Sequence, residues 1–135
     1  VINPAANDVD SAVLCDDFNE VLKQFKAGKP VVLLDDAGRE NEGDIVLAAE
    51  AVTPEIIAFL MNEARGLICV SISGALAQSL NLPLQADTNN SPFQTPFAVS
   101  IDSAEVVPHG VTASSRAQTI RALLRPEASS ADFVC

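Results

Sequence analysis

Apolar residues along this chain fall into short blocks whose spacing switches repeatedly between helical and extended periods. Phe18, Val21, Leu22 and Phe25 recur at i, i+3, i+4 and i+7, which predicts a helix beginning near Asp16 and stopped by Gly28. Pro30-Val31-Val32-Leu33-Leu34 is a continuous apolar run, the pattern of a strand buried on both faces. Ile45–Ala49 predicts a second strand. Thr53-Pro54-Glu55 then has the order of a helix start: a capping hydroxyl, a proline at the first helical position and a carboxylate near the positive end. Ile56, Ile57, Leu60 and Met61 supply the apolar stripe of that helix, and Gly66 breaks it.

A third strand is predicted over Leu67–Ile72, a short helix over Ala75–Leu80, and a fourth strand over Phe97–Ile101. Between the last two lies NLPLQADTNNSPFQTP, whose Pro and Asn content marks a loop. Pro108-His109-Gly110 turns the chain, and Ser114–Leu124 is the last predicted helix, ended by Pro126. Residues 1–15 read as an irregular arm, and residues 16–135 as one domain. Alternating strands and helices predict an α/β fold, an α+β sandwich with a mixed β-sheet and helices on its faces.

Composition sharpens this picture at a few points. The 135 residues are 48% hydrophobic but only 4% aromatic, without Trp or Tyr, so Val, Leu, Ile and Ala must build the core. The net charge of −10 repels phosphate backbones and no basic cluster interrupts it, which argues against nucleic-acid binding. Cys15, Cys69 and Cys135 are too scattered for a disulfide framework or a structural zinc site. In LICVSI, the plain reading of Cys69 is a small buried hydrophobe. No apolar run reaches the ~20 residues of a membrane span, and VINPAANDVDSAV lacks the order of a secretory signal. These features predict a protein of the cytoplasm, or of the plastid stroma if its source is a plant, with no membrane partner.

One segment carries more charge than its position requires. Asp35 to Asp44, DDAGRENEGD, places six ionisable side chains in ten residues between two apolar strands. If residues 39–44 are extended, Glu40, Glu42 and Asp44 share a face with neighbouring carboxylates roughly 6.5–7 Å apart. Such crowding raises the pKa of one carboxylate, which suits a general acid or base. Hard oxygen donors with room for water favour Mg2+ or Mn2+. Arg39 either neutralises part of the cluster or clamps a phosphate. A calcium loop starting at Asp35 fails, because Ala37 and Arg39 would occupy its third and fifth ligand positions. The competing reading is a solvated hairpin loop with an internal Arg–Glu pair.

DDAGRENEGDIVLAAE resembles the N-terminal signature of the 3,4-dihydroxy-2-butanone 4-phosphate synthase family of riboflavin biosynthesis. The resemblance continues through TPEIIAFLMNEARGLICVSI, LNLPLQADTNN, FAVSIDSAE, SRAQTIRALL and PEASSADFV, from about Asp17 to Val134. It implies a Mg2+-dependent (or Mn2+-dependent) lyase that converts ribulose 5-phosphate into dihydroxybutanone phosphate and formate. It further implies a homodimer with active sites at the subunit interface. Carried over by position, Glu40 is the metal ligand, and Asp35, Glu42, Asp44 and Cys69 are catalytic. Arg39, Asp44, Thr112 and Arg116 match substrate-binding positions.

Departures from the family pattern cluster at the same site. The family's GVTTGISAADR loop aligns with VVPHGVTASSR, so Pro108 and His109 replace two threonines and Ser115 replaces an aspartate. Arg65, Gln94 and Pro96 also differ, and Pro108 removes an amide donor from a loop expected to cradle phosphate. The family's later motifs RPGHVFPL and HTEA, the second supplying a histidine metal ligand, do not occur in these residues. His109, the one histidine, is either a replacement ligand or acid–base group, or an ordinary turn residue. Three readings follow: a lyase, of which this sequence holds all or part; a non-catalytic homologue that binds a sugar phosphate or a partner; and a plain structural fragment.

Overall fold

The computed structural model describes residues 16–106 and 110–135. The arm expected over residues 1–15, Cys15, and the altered positions Pro108 and His109 lie outside the described residues.

Helix α1 (Phe18–Lys26) starts at Asp17, whose side chain accepts from the amides of Asn19 at 2.9 Å and Glu20 at 3.3 Å. Val21, Leu22 and Phe25 of its apolar stripe are half-buried, while Phe18 stays exposed. Gly28 follows at φ +76, a conformation that strains any residue with a Cβ, and an added Cβ would meet that of Ala51 at 3.0 Å. Strands β1 (Val31–Leu34) and β2 (Gly43–Val46) then pair antiparallel, with Leu34 opposite Gly43 and Val31 opposite Val46. They form a hairpin whose tip is the charged segment.

Helix α2 (Pro54–Glu63) begins as its sequence predicts, with the Thr53 hydroxyl accepting from the Ile56 amide at 3.2 Å. Helices α3 (Gly74–Ser79) and α4 (Ala113–Leu123) are capped in the same way by Ser73 and Thr112. A second antiparallel ladder joins β3 (Asp102–Ser103) to β4 (Phe133–Val134).

Helix α4 ties the core together. Ala117 and Ile120 pack with Val52, Ile57 and Leu60, against which Ile45, Ile68 and Val70 also rest. One turn on, Ala122 and Leu123 pack with Leu80 and Phe133. Polar groups inside this layer are paired: Thr119 Oγ1 accepts from the Ser103 amide at 2.9 Å and donates to the Ser115 carbonyl at 3.1 Å. Arg121 caps the turn before α2 by donating to the Val52 carbonyl through Nε at 3.1 Å and Nη2 at 2.7 Å.

Helices and strands mix as the α/β reading expects, but the strands differ from expectation in three respects. Val32, Leu33 and Leu34 are 61%, 52% and 57% exposed, so β1 is not buried on both faces. It pairs along one edge with β2 and meets α1, yet these three side chains stay exposed. Leu67–Ile72 forms no ladder, although its burial still alternates: Ile68, Val70 and Ile72 turn inward while Leu67, Cys69 and Ser71 face out. Cys69 is thus an exposed thiol and not a buried hydrophobe. Of Phe97–Ile101, only Ala98 pairs, through a single bridge to Leu84. Among the described residues every strand pairing is antiparallel, so the expected mixed sheet does not form there.

Candidate active site

The β1–β2 hairpin ends in a turn that is built by its own acidic side chains. The chain is not extended over residues 39–44 as the alternation argument supposed. Residues 37–40 form turns, Asn41 lies at φ +52, and extended backbone resumes only at Gly43. Asp36 Oδ1 accepts from the Gly38 amide at 2.7 Å, and the Arg39 amide donates to the Asp36 carbonyl at 2.9 Å. These are the short local bonds by which aspartate favours turns over strands.

Asp35 organises the inner side of this turn. Its Oδ2 accepts from Arg39 Nη1 at 2.7 Å and from the Glu40 amide at 3.0 Å, and its Oδ1 accepts from the Asp36 amide at 2.8 Å. The Glu40 amide is the chief cause, ahead of Asp36 and Arg39, that holds the Asp35 carboxyl below the ordinary aspartate range. Arg39 Nη1 also lies 3.2 Å from Glu40 Oε2. One guanidinium nitrogen therefore serves two carboxylates.

Glu42 behaves in the opposite way. The neighbouring Glu40 carboxyl, and after it the charges of Asp44 and Asp35, raise its proton affinity. The raised carboxyl predicted for this cluster is Glu42. Asp44 is exposed on β2 opposite Leu33.

Glu40, half-buried in the turn, offers hard oxygen donors suited to Mg2+. Among the described residues, no group of three or more His, Cys, Asp or Glu is placed to hold a metal ion. The donors present thus fit one side of a hydrated ion, with water or substrate supplying the rest.

A cavity of about 330 Å3 opens beside Glu40, lined among others by Gln85, Asn89, Phe93, Thr95 and Phe97. Except for Phe97, which opens the predicted fourth strand, these residues come from the Pro- and Asn-rich stretch that the sequence marks only as a loop. The loop is firm: Asn89 Nδ2 donates to the Thr95 carbonyl at 2.9 Å, while Asn89 Oδ1 accepts from the Ser91 amide at 3.0 Å and hydroxyl at 2.7 Å. The one signal that singles out Phe93 in the sequence is an aromatic residue amid polar neighbours.

The other expected site residues lie on other segments of the chain. Cys69 lies on the outer side of Leu67–Ile72, and among the described residues no hydrogen bond or ion pair joins it to the acidic turn. Thr112 Oγ1 accepts from the Ser115 amide at 3.1 Å and lies 2.7 Å from Ser115 Oγ, which makes it the cap of α4. Arg116 Nε donates to the Val111 carbonyl at 3.2 Å. Both sit at the start of α4, directly after the positions that are not described.

Comparison with known proteins identifies the family of the chain. The family described as 3,4-dihydroxy-2-butanone 4-phosphate synthase matches residues 19–135. The riboflavin biosynthesis protein RibBA of Phocaeicola vulgatus is 44% identical over 116 residues, covering 86% of this chain and 29% of that protein. The 3,4-dihydroxy-2-butanone 4-phosphate synthase of Neisseria meningitidis serogroup B is 42% identical over 115 residues, covering 85% of this chain and 32% of its own length. A crystal structure of a 3,4-dihydroxy-2-butanone 4-phosphate synthase in complex with two magnesium ions superimposes with a TM-score of 0.83 at 37% identity. That match covers 89% of this chain and 56% of the solved one, so the chain spans about a third of those curated relatives and just over half of that structure. With the acidic turn intact and the match running from α1 to β4, the chain belongs to the 3,4-dihydroxy-2-butanone 4-phosphate synthase family.

Proposed function

We propose that this chain contributes the acidic-turn half of a lyase site that converts ribulose 5-phosphate into 3,4-dihydroxy-2-butanone 4-phosphate and formate. The observation that carries the reading is the acidic turn itself, where Arg39 Nη1 stands 2.7 Å from Asp35 and 3.2 Å from Glu40 beside a cavity that Glu40 lines. A reaction that enolises a ketose needs both a fixed charge for positioning and a group that exchanges protons.

Glu40 would hold Mg2+, or Mn2+ in its place, with water and substrate supplying the remaining ligands. When bound, the ion supplies Lewis-acid polarisation of the keto and hydroxyl oxygens. Asp35 fixes Arg39, and Arg39 receives an anionic oxygen of the substrate. Glu42 takes a proton from the carbon beside the keto group and returns it later, with Asp44 keeping its charge balance. Loss of water and a skeletal shift follow, and a water molecule added back to the resulting carbonyl lets one carbon leave as formate. Cys69, Thr112 and Arg116 complete the substrate contacts, with Arg116 and the start of α4 facing the phosphate.

Residues 16–135 act here as one domain within a homodimer. The exposed apolar side chains of β1 support such an assembly, because a contiguous uncovered apolar face favours association. No described helix is long and apolar enough to cross a membrane, and a net charge of −10 disfavours nucleic acid as a partner. The proposal places the protein in the cytoplasm, or in the plastid stroma of a plant.

Comparing the protein with its Glu40→Ala variant tests this reading. Mg2+-dependent formate release that disappears in the variant supports it. Equal release from both would remove Glu40 from the site.

A further inference from the structure

We propose that Phe93 is a positioning residue for Arg39, acting through the face of its ring and not through contact with the reacting atoms. The inference rests on the proposed function for the site that Arg39 serves. The guanidinium carbon of Arg39 lies 5.5 Å from the centroid of the Phe93 ring, within the ~6 Å over which a cation is attracted to an aromatic face.

The remaining contacts of Arg39 show why a ring is needed. Asp35 and Glu40 both take the same nitrogen, Nη1, at 2.7 and 3.2 Å. A guanidinium held at one corner can still swing about it, carrying Nη2 and Nε through a wide arc. A flat ring face against the central carbon removes that freedom and leaves the fork oriented for a bidentate anion.

Phe93 is itself well held for this purpose. It sits in the turn that Asn89 braces through Ser91 and Thr95, and the Gln94 amide closes that turn on the Ser91 carbonyl at 3.2 Å. Farther along, the Gln85 amide donates to the Phe97 carbonyl at 2.8 Å and closes the base of the loop. The ring belongs to neither core cluster and is 47% exposed, so burial does not account for an aromatic side chain here. Phe93 and Glu40 line the same cavity, which places the pair at the entrance of the proposed site.

The test follows the rate at which phenylglyoxal modifies Arg39, read by mass spectrometry of the peptide that contains it. The protein, Phe93→Leu and Phe93→Tyr are compared, with thermal melts confirming that all three are folded. An exposed cation–ring contact accounts for about a two- to fivefold change. Phe93→Leu should therefore react about two to five times faster than the parent, and Phe93→Tyr at the parent's rate. Equal rates in all three, or a rise in both variants alike, overturns the contact. A second arm adds ribulose 5-phosphate with Mg2+. Protection of Arg39 in the parent and Phe93→Tyr, weakened in Phe93→Leu, upholds the positioning role. If the Leu and Tyr variants separate but no form is protected, Arg39 is not in a substrate site. The role then reduces to packing, and the failure lies with the proposed function and not with the contact.

Discussion

Asp35 and Arg39 meet at 2.7 Å across a turn in which the same aspartate also accepts from the Asp36 and Glu40 amides. The Asp35 side chain is only 16% exposed, so this pair is better shielded than most hairpin-tip ion pairs. The Asp35 carboxylate accepts from two amides and a guanidinium, and Asp36 closes the outer part of the turn through the Gly38 and Arg39 amides.

Replacing that carboxylate should therefore affect the site more than the fold. Asp35→Asn keeps the size of the side chain but removes the charge that holds Arg39. We expect turnover of ribulose 5-phosphate, as kcat/KM, to fall by about 100-fold, the usual cost of a misplaced positioning group. The melting temperature should change little. A large drop in melting temperature with unaltered activity of the remaining folded protein would make Asp35 a structural residue only.

Glu42 is expected to fail differently. Glu42→Gln removes a proton-exchanging group, and such groups contribute about 100- to 10,000-fold to rate. The loss should appear in kcat, while Mg2+ affinity measured by calorimetry should survive, because Glu40 is untouched. Loss of metal binding in Glu42→Gln would reassign Glu42 as a ligand.

Acid stability should depend on a separate pair. Arg125 Nη1 and Nη2 donate to the Glu105 carboxylate at 2.9 and 3.2 Å, and Gln118 donates to it at 2.8 Å. The Arg125 bond, then that of Gln118, holds Glu105 below its ordinary value of 4.5. A carboxyl whose folded-state pKa is depressed stabilises the fold above its unfolded value and loses that contribution as pH falls through the folded one. The melting temperatures of the protein and Glu105→Gln should therefore differ at neutral pH and converge as pH drops below 4.5. A gap that is constant with pH would contradict the pairing.

The core prediction concerns Ile57, which is 0% exposed beneath α4. Ile57→Ala should destabilise the fold by about 2–5 kcal/mol in chemical denaturation. Leu33→Ser, at an exposed position of β1, should stay within about 0.5 kcal/mol in the monomer.

Residues that act through near neighbours were the legible part of this chain. Asp17, Thr53 and Ser73 cap helices within three residues of themselves, and Thr53-Pro54-Glu55 announces α2 without reference to anything distant. The acidic turn was legible as a candidate for the same reason: its charge is concentrated in sequence. Its geometry was not, because the period-two argument ignores the turn bonds of Asp35 and Asp36, which bend residues 37–40 out of a strand. Leu67–Ile72 has the inward–outward alternation of a strand, yet whether such a segment joins a ladder depends on a partner that composition does not name. Phe93 was illegible on the same ground. Its role depends on a ring and a guanidinium brought together from segments far apart in the chain.

The most direct test of the account is the product balance from ribulose 5-phosphate, measured by NMR with Mg2+ and again with the ion chelated. The account predicts formate and the four-carbon phosphate in equal amounts with Mg2+, and neither with the chelator. Consumption of ribulose 5-phosphate without formate, or formate release indifferent to the metal, would contradict it.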